Sequence, residues 1–516
     1  MQAVNEDTPP LGVTRVAAVD PRKPALVAGD VVRSFGDLEA RGRRLAHWLR
    51  GRGVAPGDRV AVMLPNSIEF FEVAHASSLL RALLVPVNWH LKGNGVAWLL
   101  TDSGARAVVS STRLWSAMDD GSLPDLACDV LLVGDDGPDG YEAAMRAAPD
   151  DPIDDGWSTT QCMLYTSATT GRPKGVQRAA GDADPGEQTL LGTARLWGFT
   201  PDDVHVLGGP AYHGGPGGWA FITLFMGGTV VVLERFEGRA WLQAVDCHRA
   251  TTAFLVPAHF IRILEVPAEE RAAYDTSSMR LVLHGGAPCP VPVKRKILET
   301  FPSAQVWEFY GMSEGAGTRI SPDEWRQHPG SVGKPWPGIE LKILDADGNE
   351  LPPGETGHIY LVPPASQRFA YHNDDEKTAA AWRGDAYTVG EMGHVDADGY
   401  LYITDRASDM ILRGGVNIYP REVEEVLYDH PAVVDCAAFG VPDERYGERL
   451  KAMVEVRAPV TVDELLEHCR SRLSTFKCPE LVEIVGTLPR DPNGKVMKRR
   501  LREQHWDGMA NAIRTE

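Results

Sequence analysis

The stretch that sets the fold class is Arg59-Val-Ala-Val-Met-Leu64, closed by Pro65, then a helical pattern from Ser67 to Arg81 and the apolar run Leu83 to Val87. A short run that is apolar throughout reads as a strand covered on both faces, as a parallel sheet requires. Two such strands joined by a helix make a βαβ unit. The N-terminal part is therefore expected to be a large α/β domain with parallel-type sheets. Working outward, the texture changes near Gly330. Ile339 to Leu344 alternates, Asp347-Gly348 offers a hairpin turn, and Ile359-Tyr-Leu-Val362 pairs back, which predicts a small β-rich subdomain. A second change follows Asp405. Pro420 opens a helix with Val423, Val426 and Leu427 on one face, a strand runs from Val433 to Val441, and Thr461 with Glu464 forms a capping box. The helix behind that box is expected to turn Leu465, Leu466, Cys469 and Leu473 inward. Two domains follow from this: 1–405, and a smaller α+β domain over 406–516.

With 516 residues the chain can bury more than one core. Its 52 basic and 71 acidic residues leave a net charge of -19, which disfavours nucleic acid and anionic membrane as partners. Met1 to Pro10 has neither a basic start nor an apolar core, so no secretory signal is expected. The longest apolar stretch, Trp219 to Leu233, is interrupted by Gly227-Gly228 and is too short for an integral membrane segment. The seven cysteines form no CxxC pair, which reads as reduced thiols in the cytoplasm.

Chemistry concentrates in a few short segments. Tyr165-Thr-Ser-Ala-Thr-Thr-Gly-Arg-Pro-Lys-Gly175 gathers hydroxyl donors, the flexible Gly171 and the cation of Lys174 in one loop, a combination able to wrap a polyphosphate. It is not a Walker A loop, whose lysine is followed directly by Ser or Thr. His284-Gly-Gly-Ala-Pro288, Tyr310-Gly-Met-Ser-Glu314, Val389-Gly-Glu391, Arg413-Gly-Gly-Val-Asn-Ile-Tyr-Pro420 and Pro489-Arg-Asp-Pro-Asn-Gly-Lys495 follow in that order. Taken singly, each is no more than a turn or a basic tail. In sequence, from residue 165 to residue 500, they resemble the adenylate-forming superfamily of acyl-CoA synthetases, peptide-synthetase adenylation domains and luciferases.

The resemblance is strongest to the acyl-CoA synthetases, and it implies a reaction in two halves. A carboxylic acid and ATP give acyl-AMP and pyrophosphate, and coenzyme A then displaces AMP. It assigns Thr166, Ser167, Ala168, Thr169, Thr170 and Gly171 to the phosphate loop, with Lys174 as its cation. Tyr310 would stack on adenine, Ser313 would contact phosphate, and Glu314, with Thr169, would hold Mg²⁺, a hard ion that prefers oxygen. Gly286 and Ala287 would flank adenine and the acyl pocket, Glu391 would bind the ribose, and Arg406 would pair with ribose or phosphate. His284 is given no catalytic role. Gly414 and Gly415 would line a tunnel for the pantetheine arm, where a side chain would block the thiol. Lys495 would be the adenylation lysine, on a mobile lid domain hinged at Ser408, with 1–405 as the AMP- and acyl-binding domain. The segment Tyr212-His-Gly-Gly-Pro-Gly-Gly218 resembles the border of the acyl pocket, with His213 and Gly214 facing the acid. Its four glycines are expected to leave room for a hydrophobic, bulky acid.

Two positions depart from the pattern. Ala168 stands where the family usually has glycine, and Glu391 stands where it has aspartate. A Cβ at a left-handed or phosphate-hugging position costs about 1–2 kcal/mol. Adenylation alone needs the polyphosphate grip, so the alternative is a variant that only converts acyl-AMP and coenzyme A, with a separate adenylating enzyme as partner. A carrier-protein-loading enzyme is disfavoured because no carrier domain follows residue 516. A luciferase-like oxygenase would be revealed by light or oxygen uptake. A non-catalytic nucleotide-binding scaffold would have no need of Lys495.

Overall fold

The computed structural model describes residues 11–118, 127–153, 156, 159–166, 173–178, 186–406, 409–413, 416–443, 446–491 and 494–506, with backbone only at 178, 405, 406, 416 and 417. Strand Arg59–Met63, helix Ile68–Leu79 and strand Leu83–Pro86 form the expected βαβ unit, the two strands running parallel. Ser67 caps the helix by accepting from the Phe70 amide. Nearly every residue of that helix is buried, because it lies between two sheets. One is a four-stranded parallel sheet in the order Leu83–Pro86, Arg59–Met63, Ala105–Ser111, Asp129–Val133.

The other has nine strands: Lys334–Pro335, Gly315–Ile320, Gln305–Met312, Leu281–His284, Thr252–Leu255, Val204–Leu207, Thr229–Val232, Pro24–Ala28 and Val31–Ser34. It is parallel at its centre and antiparallel at both ends. Asn66 ties the two layers. Its buried amide donates to the carbonyls of Gly209 and Leu233 and accepts from the Ala211 amide. A buried amide so fully matched fixes the spacing of the layers.

The β-rich subdomain starts at Glu340, since Lys334–Pro335 still belongs to the large sheet. Strand Glu340–Leu344 turns through Gly348, at φ 90°, and pairs antiparallel with Gly357–Val362. Glu391–Val395 and Leu401–Arg406 extend this sheet. From Ile411 a separate sheet forms from Ile411–Arg413, Val416–Ile418, Val433–Asp443, Gly447–Val456 and Leu481–Val485. Helix Pro420–Tyr428 packs Val423 and Leu427 into its core, with Val426 at the margin. Helix Val462–Arg470 has the reciprocal Thr461–Glu464 box and buries Leu465 and Cys469. It ends before Leu473, which packs against that core from the following turn rather than from the helix, and Leu466 is only half-buried.

The apolar stretch after Trp219 divides between helix Gly214–Phe225 and strand Thr229–Val232, parted by Gly227 at φ 85°. Among the described residues no helix is long and apolar enough to cross a membrane. None of the cysteines is paired, and only Cys247 is exposed.

Candidate active site

The carboxyl ends of the central strands of the large sheet open onto a cleft of about 880 Å³. This is where open α/β sheets place their ligands, because loops there spring from several strands at once. Strand Leu281–His284 delivers Gly286 and Ala287 to it, and strand Gln305–Met312 delivers Tyr310, Ser313 and Glu314. Gly286 adopts φ 79°, a conformation side chains rarely take, which is a physical reason for glycine there.

The phosphate loop is a hairpin connection. Strands Leu164–Thr166 and Lys174–Arg178 pair antiparallel with Thr166 opposite Lys174, so both ends of the loop are fixed. Thr166 and Lys174 line the cleft. Ser167, Ala168, Thr169, Thr170 and Gly171 lie outside the described residues, as do Ser408, Gly414, Gly415 and the side chain of Arg406. A third strand, Phe369–Tyr371, pairs beside Lys174–Arg178 and brings up a residue that motif reading missed. The Tyr371 hydroxyl donates to Glu314 Oε1 at 2.8 Å, and its ring carries the Lys174 ammonium 4.6 Å from the centroid. Burial, and then the Glu314 carboxylate, hold its phenol above its ordinary value, so it remains a neutral donor. One tyrosine thus contacts both Glu314 and Lys174. Glu314 is a buried carboxylate lining the cleft, and such an oxygen donor fits Mg²⁺.

Tyr371→Phe keeps the ring and loses the donor to Glu314. It is expected to raise the Mg²⁺ concentration for half-maximal adenylate formation by about tenfold, the worth of a hydrogen bond to a charged group. Tyr371→Leu should in addition raise the KM for ATP. A Mg²⁺ titration at saturating ATP checks the first effect, and an unchanged requirement would remove Tyr371 from this role.

At the other end, His213 precedes helix Gly214–Phe225 and lines the cleft with Gly214. Burial lowers its pKa to about 4, so the imidazole is neutral at neutral pH. Its Nε2 has no hydrogen-bond partner among the described residues. The glycine run is the start of a helix, and its members differ in function. A Cβ at Gly215 would stand 2.7 Å from the Phe254 ring, and one at Gly217 would stand 2.1 Å from the Ala211 carbonyl. Those two glycines permit close packing and do not widen the pocket. At Gly218 a Cβ would meet nothing within 4 Å, so this glycine leaves open space.

Glu391 begins its strand in register with Arg406 and lines the cleft beside Thr388 and Val389. The Lys495 loop reaches the same cleft from the C-terminal sheet. Asp491 accepts from the Lys495 amide at 2.9 Å, Arg490 donates to the Gly494 carbonyl at 2.6 Å and also pairs with buried Asp435. Gly494, at φ 82°, lies so close to helix Pro257–Glu265 that a Cβ would come within 2.6 Å of that of Ala258. Arg421, from the same C-terminal unit, donates to the Ile403 carbonyl at 2.7 Å across the junction. Beneath the site, fully buried Lys294 pairs with Glu308 at 2.6 Å, with His284 3.7 Å from the same oxygen. Burial, and then the Lys294 ammonium, drive His284 well below its ordinary pKa.

Comparisons with known proteins agree with this geometry. The model of the AMP-binding enzyme family matches residues 13–365, and that of the AMP-binding enzyme C-terminal domain matches residues 422–495. The fatty acid–[acyl-carrier-protein] ligase ScoC of Streptomyces coeruleorubidus is 32% identical over 96% of this chain and 96% of its own. A feruloyl-CoA synthase of Amycolatopsis is 34% identical over 95% and 97%. ATP-bound MatB of Rhodopseudomonas palustris superposes with a TM-score of 0.83, at 30% identity, over 96% of this chain and 99% of its own. The o-succinylbenzoate CoA synthetase of Bacillus subtilis, solved with its acyl-adenylate and, separately, with ATP and a magnesium ion, is 28% identical. With its acyl-adenylate it superposes with a TM-score of 0.80, over 95% of this chain and 98% of its own. The chain belongs to the AMP-binding enzyme family, as an acyl-CoA-synthetase-like member of the adenylate-forming superfamily.

Proposed function

We propose that the chain is an AMP-forming acid–thiol ligase that activates a hydrophobic carboxylic acid and passes it to coenzyme A. The observation that carries this reading is the arrival of Lys495, on a loop of the C-terminal unit, in the cleft that already holds Tyr310, Glu314 and Lys174. In the first half-reaction a carboxylate oxygen bonds to the α-phosphorus of ATP, the bond to the bridging oxygen breaks, and pyrophosphate leaves. Negative charge builds at the phosphorus, and a lysine brought there by a lid stabilises it. Glu314 and Thr169 would hold Mg²⁺, which would supply neutralisation of phosphate charge. Thr166 to Gly171 with Lys174 hold the polyphosphate, Gly286, Ala287, Tyr310 and Ser313 the adenylate, and Glu391 and Arg406 its ribose. His213 and Gly214 orient the acid.

In the second half-reaction a thiolate attacks the acyl carbon and AMP departs. The reading divides the chain into a body over 1–405 and a lid over 406–516, pivoting at Ser408, with Gly414 and Gly415 lining the thiol tunnel once the lid has turned. The unpaired thiols fit a reducing compartment, the cytoplasm. The ScoC relative, matched over 96% of its own length, is named for a carrier-protein acceptor, so a carrier-protein thiol is the second acceptor to test.

Ala168 supports a second reading, in which only acyl-AMP and coenzyme A react here and a separate enzyme supplies the adenylate. Mass spectrometry of acid, ATP and coenzyme A, run beside synthetic acyl-AMP plus coenzyme A, tests both. Thioester in both mixtures is the expected result of the two-step ligase, and thioester from acyl-AMP alone that of the restricted enzyme. No thioester in either would overturn the assignment to coenzyme A.

A further inference from the structure

The apolar end of the cleft is walled by aromatic rings that brace one another. Phe309 stands at their centre, 5.7 Å from Trp219, 5.8 Å from Phe254 and 6.1 Å from Trp336 between ring centroids, and all four line the cleft. Behind them Trp197 lies 5.9 Å from Trp219 and 5.5 Å from Trp336, both edge-on. Trp197 and Trp307 are backed in turn by the Arg319 guanidinium, 5.5 and 5.3 Å from their centroids. Trp197 and Trp219 are each only 5% exposed and Phe254 only 3%. Rings held edge-to-face in this way are fixed in position, and none can swing aside without opening a cavity in a packed cluster.

Next to Trp219, on the same helix, the lining is bare. A Cβ at Gly218 would meet nothing within 4 Å, and Gly218 is a cleft residue. A rigid ring wall with open space left beside it at Gly218 lets a flat ligand lie against the rings. Gly218, Trp219, Ile222, Phe254, Phe309 and Trp336 are all uncharged, and Arg319 lies behind the rings, so a second carboxylate placed here would lose its hydration without gaining a partner. Toward helix Glu187–Trp197 the lining is Thr189 and Thr193, whose hydroxyls give a long alkyl chain little apolar cover.

Resting on the ligase reading, we propose that the acid is a flat monocarboxylic acid with an aromatic ring, cinnamate-like in size, seated against Phe309, and that Phe309 excludes long-chain fatty acids. A flat acid has few rotors to freeze on lying against a preformed ring wall, whereas an alkyl chain has many and must also displace a braced ring. Ring-on-ring contact is worth about 0.5–1.5 kcal/mol beyond area burial, or up to about tenfold in affinity.

The test reads the pocket without turnover, so it holds even if adenylation or thioester formation is absent. Non-hydrolysable 5′-O-sulfamoyladenosine analogues carrying a cinnamoyl or a dodecanoyl group are titrated into the full chain by calorimetry. The cinnamoyl analogue is expected to bind about tenfold or more tightly than the dodecanoyl one. Phe309→Ala should narrow or reverse that ratio by strengthening dodecanoyl binding. Phe309→Leu, which keeps an apolar side chain with the least risk to folding, should weaken cinnamoyl binding alone. Tighter dodecanoyl binding by the unaltered protein, or a ratio that neither variant moves, would overturn the proposal. Selective cinnamoyl binding with no thioester from any acid would leave the ring wall as the acid's seat and remove the ligase reading instead.

Discussion

Lys495→Ala should lower acyl-AMP formation by about 10²–10³-fold, the usual cost of removing one preorganised donor from a developing charge. The lysine sits on a loop pinned by backbone hydrogen bonds on either side of the turn. Asp491 and Arg490 hold the loop through backbone groups, and Lys495 itself is exposed, so the variant should fold as the parent does. Conversion of supplied acyl-AMP and coenzyme A to thioester should change little, because no pyrophosphate leaves in that step. Pyrophosphate release and thioester formation, measured separately, check the split. Equal losses in both would mean that Lys495 supports the lid and not the first transition state. Lys495→Arg should fall between, since charge is retained but the compact ammonium is not.

Ala168→Gly should raise acid-dependent acyl-AMP formation by up to about a hundredfold, the penalty that an ångström of misplacement can impose on a reacting group. Ala168 itself lies outside the described residues, but the strands on either side of its loop do not. The loop is anchored at both ends, with Thr166 opposite Lys174 and Lys174 held against Tyr371, so crowding at its middle cannot be relieved by sliding the ends. Pyrophosphate release from free acid and ATP measures the gain. Thioester formation from synthetic acyl-AMP should stay as it was. Brisk acyl-CoA production by the unaltered protein would show that the alanine is tolerated and that the enzyme is an ordinary two-step ligase.

What the sequence made legible is what local pattern controls. The βαβ unit around Arg59, the Thr461–Glu464 box and the Asp347-Gly348 hairpin follow from periodicity, capping and turn chemistry acting over a few residues. Most cleft residues of the ordered motifs were legible too, because Thr166, Lys174, Gly286, Tyr310, Glu314 and Glu391 sit at or just beyond the ends of strands, while Lys495 comes on a loop. Tyr371 was not, since it meets Glu314 across 57 positions of chain and nothing in its neighbourhood marks it. Arg421 and the Lys294–Glu308 pair were hidden for the same reason. The glycines after His213 show a subtler limit. Identical letters at 215, 217 and 218 were read as one device for making room. Only the positions of the Phe254 ring and the Ala211 carbonyl tell packing glycines from the one beside open space.

The uneven burial of the thiols has a practical side. Burial pushes Cys128 up to about 11 and Cys162 up to about 12, and raises Cys289, Cys436, Cys469 and Cys478 as well. Thiolate is the reactive species, so these six are slow toward alkylating reagents at neutral pH. Cys247, on helix Gly238–His248 of the body, is the one exposed cysteine. The natural chain therefore comes with a single addressable handle on its larger unit. Placing a second cysteine at Met497, 38% exposed beside the Lys495 loop, would give a two-dye pair without first stripping the protein of its own thiols. The distance between the dyes would show whether the C-terminal unit moves against the body during a turnover, as proposed.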